Sequence, residues 1–343
     1  MAPDDAIPRP APEVFELTRA GRRSDKRDRH LLCYARVRAN VRIEEAALSQ
    51  DISIQFTRFS AFYSPLIATM AGGFLEAEGL RAKHSVSPPG KTAIDGLVDG
   101  SVHVAQSAPS QAITVLEQGR KPPALHFAQI NEKDGFFLVG RKPEPDFRWE
   151  RLKDREVVID HGAQPMVMFR YACFKRGLDF AAIKPIDAGS TEKMIAAFKQ
   201  GKGDYVHLQG PAPQQLEHDG VGHIVASLGE AIGPCAFSSL AATREWLASD
   251  MAMAFMRAYR KARVWLLATA PSEVAKREAS FFPGTDPAVL AATIAAYQKL
   301  GNWSPHVEIT RAAFEATLDI FQHTGKITRR HRYEDAIAPP PEG

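Results

Sequence analysis

The chain is poor in the residues that build metal, redox or covalent chemistry. Its three cysteines (Cys33, Cys173 and Cys235) are widely scattered, with no Cys-x-x-Cys. That spacing implies neither a disulfide framework nor a zinc site. His207, His218 and His223 share no ligand spacing such as His-x-x-x-His on a helix. There is no Gly-x-Ser-x-Gly elbow, no Gly-x-Gly-x-x-Gly and no Walker-type phosphate loop. Nor is there a run of about 18 apolar residues, so no segment is predicted to span a membrane. A surplus of positive over negative charge is nearly missing too. The net charge is +3, and residues 1–50 hold ten Lys/Arg against eight Asp/Glu. The rest of the chain is almost neutral, which argues against a nucleic-acid-binding body with its clustered basic surplus.

What is present is an ordinary globular composition over 343 residues, 45% hydrophobic and 24% charged, long enough for about two domains. Residues 1–50 stand apart. They are Pro-rich, then heavily charged, and read as a disordered or weakly helical extension that lacks the apolar core of a secretory signal. Residues 329–343, ending in "APPPEG", read as a flexible tail. From Asp51 onward strands and helices alternate. Ile52, Ile54 and Phe56 alternate with Ser53 and Gln55 as in a half-buried strand. Ser64-Pro65 then predicts a helix start, with the serine as cap and Gly72 and Gly73 inside the helix. The same grammar recurs in "VHVAQSAPSQAITVLEQG", "EVVIDHGAQPMVMF" and "DYVHLQGPAPQQLEHDG". After Thr243 the pattern turns to helices alone. These features predict an α/β protein with two mostly parallel sheets.

The order of these stretches, with "GFLEAEGL", "DGLVDGSVHVAQSAPSQA" and "AAFKQGKGDY", resembles the substrate-binding proteins of ABC importers. It is most similar to the nitrate, alkanesulfonate and taurine binders and their relatives for the thiamine pyrimidine precursor. The resemblance runs from about Asp51 to Lys326 and implies a two-lobed type II periplasmic-binding-protein-like fold with a double crossover hinge. Lobe 1 would take residues 51–133 plus 241–328, and lobe 2 residues 140–235. It implies a small-molecule ligand, a sulfonate- or carboxylate-type organic anion or a pyrimidine-like compound. It also implies an ABC permease and ATPase as partners, a periplasmic location and a monomer, with no catalytic residue, metal or cofactor. Two alternatives stay open. One is an enzyme on the same scaffold, related to the fungal pyrimidine synthases, although their cysteine-rich iron cluster has no counterpart here. The other is a cytoplasmic ligand sensor.

Candidate ligand contacts fall in loops at predicted strand ends, where α/β folds hold ligands. Phe59 and Tyr63 can wall an organic ligand, or equally pack a core. Ser60 and Ser64 can donate hydrogen bonds, and Arg58 pairs with an anion or stays a solvated surface residue. In the second loop, Gln106, Ser107 and Ser110 precede or open a Pro-started helix whose free N–H groups suit an anion. Simple helix capping by Ser107 or Ser110 explains the same residues. In the other lobe His161, Gly162 and Gln164 are the counterparts, with Gln209 at a further strand end. His161 is the residue type that more often serves as a surface or satisfied histidine than as a ligand contact.

Overall fold

The computed structural model describes residues 49–343, so the expected N-terminal extension lies outside the described residues except for its last two. The first sheet contains β1 (Gln50–Phe56), β2 (Leu80–Val86), β3 (Val104–Ser107), β4 (Leu125–Asn131) and β10 (Ser238–Ala242), in the order β2-β1-β3-β10-β4. The second contains β5 (Phe136–Gly140), β6 (Glu156–Val158), β7 (Lys184–Ile186), β8 (Tyr205–Gln209) and β9 (His223–Ser227), in the order β7-β6-β8-β5-β9. β1 runs parallel to β2 and β3, and β6 runs parallel to β7 and β8. β10 and β5 are antiparallel to their neighbours. Each antiparallel strand is the one that follows a passage between sheets. The chain leaves β4 at Asn131 and enters β5 at Phe136, then returns from the Leu228–Ile232 helix to β10 at Ser238.

Local sequence explains most elements. Ile52, Ile54 and Phe56 are buried on β1, as their alternation requires. The helix that follows spans Ser64–Ala71 and stops sooner than expected, because Gly73 takes φ +76 and Phe74 folds back over Gly72. A Cβ at Gly72 would sit 2.4 Å from the Phe74 ring. Nor is Ser64 its cap: the cap position is Tyr63, and Ser64 is the first helical residue.

The late helices have no sheet of their own. Asp250–Ala268 and Pro271–Glu278 pack on the Ser64–Ala71 helix, burying Phe255 and Tyr259. Pro287–Leu300 reaches the crossing itself, where the Tyr297 hydroxyl donates to Gly135 O (2.9 Å) and accepts from Gly210 N (2.9 Å). Arg263 is fully buried and has no carboxylate partner among the described residues; it donates instead to the carbonyls of Gln129, Ile130 and Ser304. That satisfies its charge with backbone dipoles beside the first crossing.

Residues 329–343 correct the expectation of a flexible tail. Tyr333–Ala336 forms a helical turn, Ala336 and Ile337 are buried, and Ile337 bridges to His126 on β4. The compositional signal of prolines was local. What overrode it is that β4 is a sheet edge with unpaired backbone groups, which the segment covers, with Ala338 N donating to His126 O (2.9 Å).

Candidate functional site

The C-terminal ends of β1, β3, β6 and β8 converge on a cleft of about 280 Å³. Arg58 follows β1, Gln106 and Ser107 close β3, Asp160 follows β6 by two residues, and Gln209 closes β8. The antiparallel strands enter at the same end, so Phe136 opens β5 and Ser238 opens β10 at the cleft.

Two helices point their first turns into this space: Pro109–Glu117 through Ser110 and Gln111, and Ala163–Lys175 through Ala163, Gln164 and Pro165. Their cap positions are Ala108 and Gly162, and neither helix start accepts a side-chain cap. The capping explanation of Ser107 and Ser110 therefore fails. Ser110 Oγ instead donates to Gln164 Oε1 (2.6 Å), and Gln164 Nε2 donates to Phe237 O (3.1 Å), tying the two helix starts to the return crossing. Among the described residues Ser107 Oγ and Gln209 Oε1 are buried without a partner, and both residues line the cleft. Uncapped helix starts carry a positive dipole end and free N–H groups, so the cleft offers an anion several donors.

Arg58 Nη1 meets Asp160 Oδ2 at 2.9 Å. Burial opposes the charge of each. The partner's charge and hydrogen bond outweigh that cost, raising Arg58 and, with the Gly162 amide, holding Asp160 below its usual range. Both stay ionised, so part of the guanidinium's charge is already offset within the protein. The Tyr63 phenol sits among Thr57, Gln209 and Ser238, and burial pushes its pKa up, keeping it a neutral donor. Gln106 Oε1 accepts from Thr57 N (2.9 Å) and Thr57 Oγ1 (2.6 Å), which fixes its amide. Phe136, Phe237 and Phe321 supply an apolar wall. Beneath it, Phe136 stacks on the buried ring of His207 (centroids 4.4 Å apart), whose pKa burial lowers to about 3.

Of the residues expected from the sequence, Arg58, Tyr63, Gln106, Ser107, Ser110, Gln164 and Gln209 line the cleft. Five do not. Phe59 packs on Phe56 and stacks on Phe281, because the loop turns it toward the late helices. Ser60 caps a short 3-10 turn and donates to Gly210 O (2.6 Å). Ser64 donates to the buried Glu278 carboxyl (2.7 Å). The ring of His161 turns back to Ile159 O, and Gly162 serves as the helix cap residue rather than as lining. Sequence reasoning missed Asp160 as the partner of Arg58, along with Phe136, Phe237, Ser238 and Phe321. A carboxylate two residues past a strand end was a readable signal for Asp160; Phe321, on a remote helix, had none. Among the described residues, no group of three or more His, Cys, Asp or Glu is placed to hold a metal ion.

Comparison with known proteins adds lineage to this geometry. The model of the NMT1-like family matches residues 49–279. A Bacillus subtilis (strain 168) protein named "Putative binding protein YtlA" is 29% identical over 285 residues, covering 81% of this chain and 84% of that one. Among solved structures, the alkanesulfonate-binding protein SsuA from Xanthomonas axonopodis pv. citri, bound to MOPS, superposes with TM-score 0.65 at 19% identity, covering 84% of this chain and 98% of that one. The periplasmic nitrate-binding protein NrtA from Synechocystis PCC 6803 gives TM-score 0.56 at 15% identity, over 86% and 93%. A Candida albicans protein described as having the generic periplasmic binding protein fold gives TM-score 0.60 at 13% identity, over 86% and 98%. At these identities the structures establish a shared fold, the periplasmic binding protein fold.

Proposed function

The chain belongs to the NMT1-like family, and we propose that it is the solute-binding component of an ABC importer. It captures a small organic anion of the sulfonate or carboxylate type between two lobes, residues 51–133 plus 241–328 and residues 140–235. The observation that carries this reading is the pair of uncapped helix starts, one from each sheet, facing a single cleft beside Arg58. Each contributes roughly 0.3–1 kcal/mol toward a negative charge, more where the site is partly buried. The phenylalanine wall covers the organic part, so a tailed sulfonate or carboxylate binds better than bare nitrate. A periplasmic location and a permease–ATPase partner belong to the same proposal; the location is supported by the name of the nitrate-binding relative, and the partner follows from the importer reading. A binding role, not a catalytic one, fits a cleft whose two ionised groups, Arg58 and Asp160, are paired with each other.

One observation favours a second ligand class. Asp160 offsets the charge of Arg58, and four glutamines (Gln106, Gln111, Gln164 and Gln209) line the cleft with both donors and acceptors. An uncharged pyrimidine-like compound would suit those amides. Calorimetry of the native protein against alkanesulfonates, carboxylates and pyrimidines decides between them. Saturable binding of a tailed anion, weakened in Tyr63→Phe and Ser107→Ala, supports the first. Binding of pyrimidines alone replaces it with the second, and chemical turnover of the bound compound, followed by mass spectrometry, would overturn the binding role.

A further inference from the structure

A second recess, of about 500 Å³, lies at the other end of the Pro109–Glu117 helix from the cleft. Nine helical residues separate the two by about 13 Å. One wall is the loop after that helix, with Arg120, Lys121 and Pro122; the other is the C-terminal segment from Arg329 to Asp335, with Arg244 at the side. The body of this protein is almost neutral, so a concentration of cations in one concavity is a departure from the rest of its surface.

Pairing separates structural cations from uncommitted ones. Arg330 is held by Glu315 and Asp319, and His331 by Glu117 (2.7 Å). Arg332 lies 3.9 Å from Glu334, which Arg311 also engages. Arg120, Lys121, Arg244 and Arg329 have no carboxylate partner among the described residues. Two of these are nevertheless fixed in place. Arg244 Nη1 donates to Pro122 O (3.0 Å) and Arg329 Nη2 to Leu116 O (3.1 Å), each a carbonyl of a residue lining the recess. The segment carrying Arg329 is pinned as well, since Thr328 and His331 both bind the Glu117 carboxylate. Like charges gathered in one concavity repel one another unless an anion joins them. Guanidinium groups whose planes are already held lose less freedom on binding, and their forked donors match phosphate-type oxygens.

We propose that this recess binds a small multivalent oxyanion of the phosphate type, held by Arg120, Lys121, Arg244 and Arg329. Its concavity suits a compact anion and not the flat face of an acidic protein. Both a free polyphosphate and the headgroup of an anionic lipid present this chemistry. The test is calorimetric titration of the full chain with inorganic pyrophosphate at two ionic strengths, with parallel sedimentation on vesicles containing phosphatidylglycerol. Saturable binding of either probe, weakening with salt and reduced at least about tenfold in Arg120→Glu/Lys121→Glu, supports the site; which probe binds identifies the source. Those two side chains are exposed, and among the described residues neither forms a tertiary hydrogen bond or ion pair, so folding is expected to survive. Arg329→Ala should weaken the same probe, while affinity in the Tyr63 cleft stays unchanged. Absence of saturable binding to both probes at physiological salt overturns the proposal. So does binding that the double variant leaves intact, or capture of an acidic peptide alone.

Discussion

Arg58 and Asp160 stem from different sheets, yet Nη1 of one lies 2.9 Å from Oδ2 of the other across the cleft. The pair is a direct ionic tie between the two bodies, and it sets how much positive charge the cleft presents. With Asp160 ionised, Arg58 is a shared donor; with Asp160 neutral, it is a free cation.

Asp160→Asn tests that relationship. The amide oxygen retains the bond from Gly162 N, whereas the charge pair is lost. Stability should fall by about 1–2 kcal/mol, discounted because Arg58 is part-exposed. Affinity for a tailed sulfonate should rise several-fold. The pH dependence has a defined sign. The folded pKa lies below the ordinary 3.8, so the pair's contribution is present above that value and is lost as pH falls through the folded pKa. Titration calorimetry that finds anion affinity unchanged would remove Arg58 from the site.

Asp134 predicts the opposite slope. It sits buried in the first crossing, its Oδ1 accepting from Phe136 N (2.7 Å) and its Oδ2 without a partner among the described residues, and burial pushes its pKa up to about 8. The fold binds the neutral acid. Stability is therefore undiminished below the ordinary 3.8 and declines as pH rises from there toward 8, by up to about 1.4 kcal/mol per unit. Glu278, raised by burial, adds to the same slope. Asp134→Asn should flatten the melting temperature between pH 5 and 8 relative to the native chain. An equal slope in both proteins would show that Asp134 is ionised in the fold.

Phe59→Ala and Tyr63→Phe separate packing from recognition. Phe59 stacks on Phe281 with ring planes 6° apart, so truncation should lower stability by roughly 2 kcal/mol and leave ligand affinity alone. Tyr63→Phe should do the reverse. Thermal melts and titrations of both variants give the comparison, and a Phe59 variant with impaired binding would return that ring to the site.

Gly135→Ala probes the crossing by volume. An added Cβ would fall 2.1 Å from the Phe62 ring, closer than any side chain tolerates. Phe62 is fully buried against Phe237 and Tyr297 and has nowhere to move. Destabilisation of at least about 2 kcal/mol is expected in denaturant unfolding; a near-neutral result would mean that the crossing shifts freely.

Removing residues 333–343 should cost at least about 2 kcal/mol, because it uncovers β4 and takes away buried Ala336 and Ile337. An unchanged melting temperature would restore the tail to the status its prolines suggested.

Much of this architecture is local and was therefore legible in the sequence. The period-two pattern of Ile52, Ile54 and Phe56, the Pro-started helices and the strand-end loops all follow from backbone propensity and burial within about ten residues of chain. Those rules also bring Gln106, Ser107, Ser110, Gln164 and Gln209 to strand ends and helix starts, and hence to the cleft. The direction of a loop side chain is a different matter, since it depends on what packs behind it. Phe59, Ser60 and Ser64 turn away from the cleft because Phe281, the Gly210 carbonyl and Glu278 wait for them on segments roughly 150 to 220 residues further along the chain. The pairing of Arg58 with Asp160, the phenylalanine wall brought in by both crossings and the Arg311–His323 helix, and the docking of Ile337 on β4 likewise join distant segments. No periodicity encodes such meetings; only the closed tertiary structure decides them.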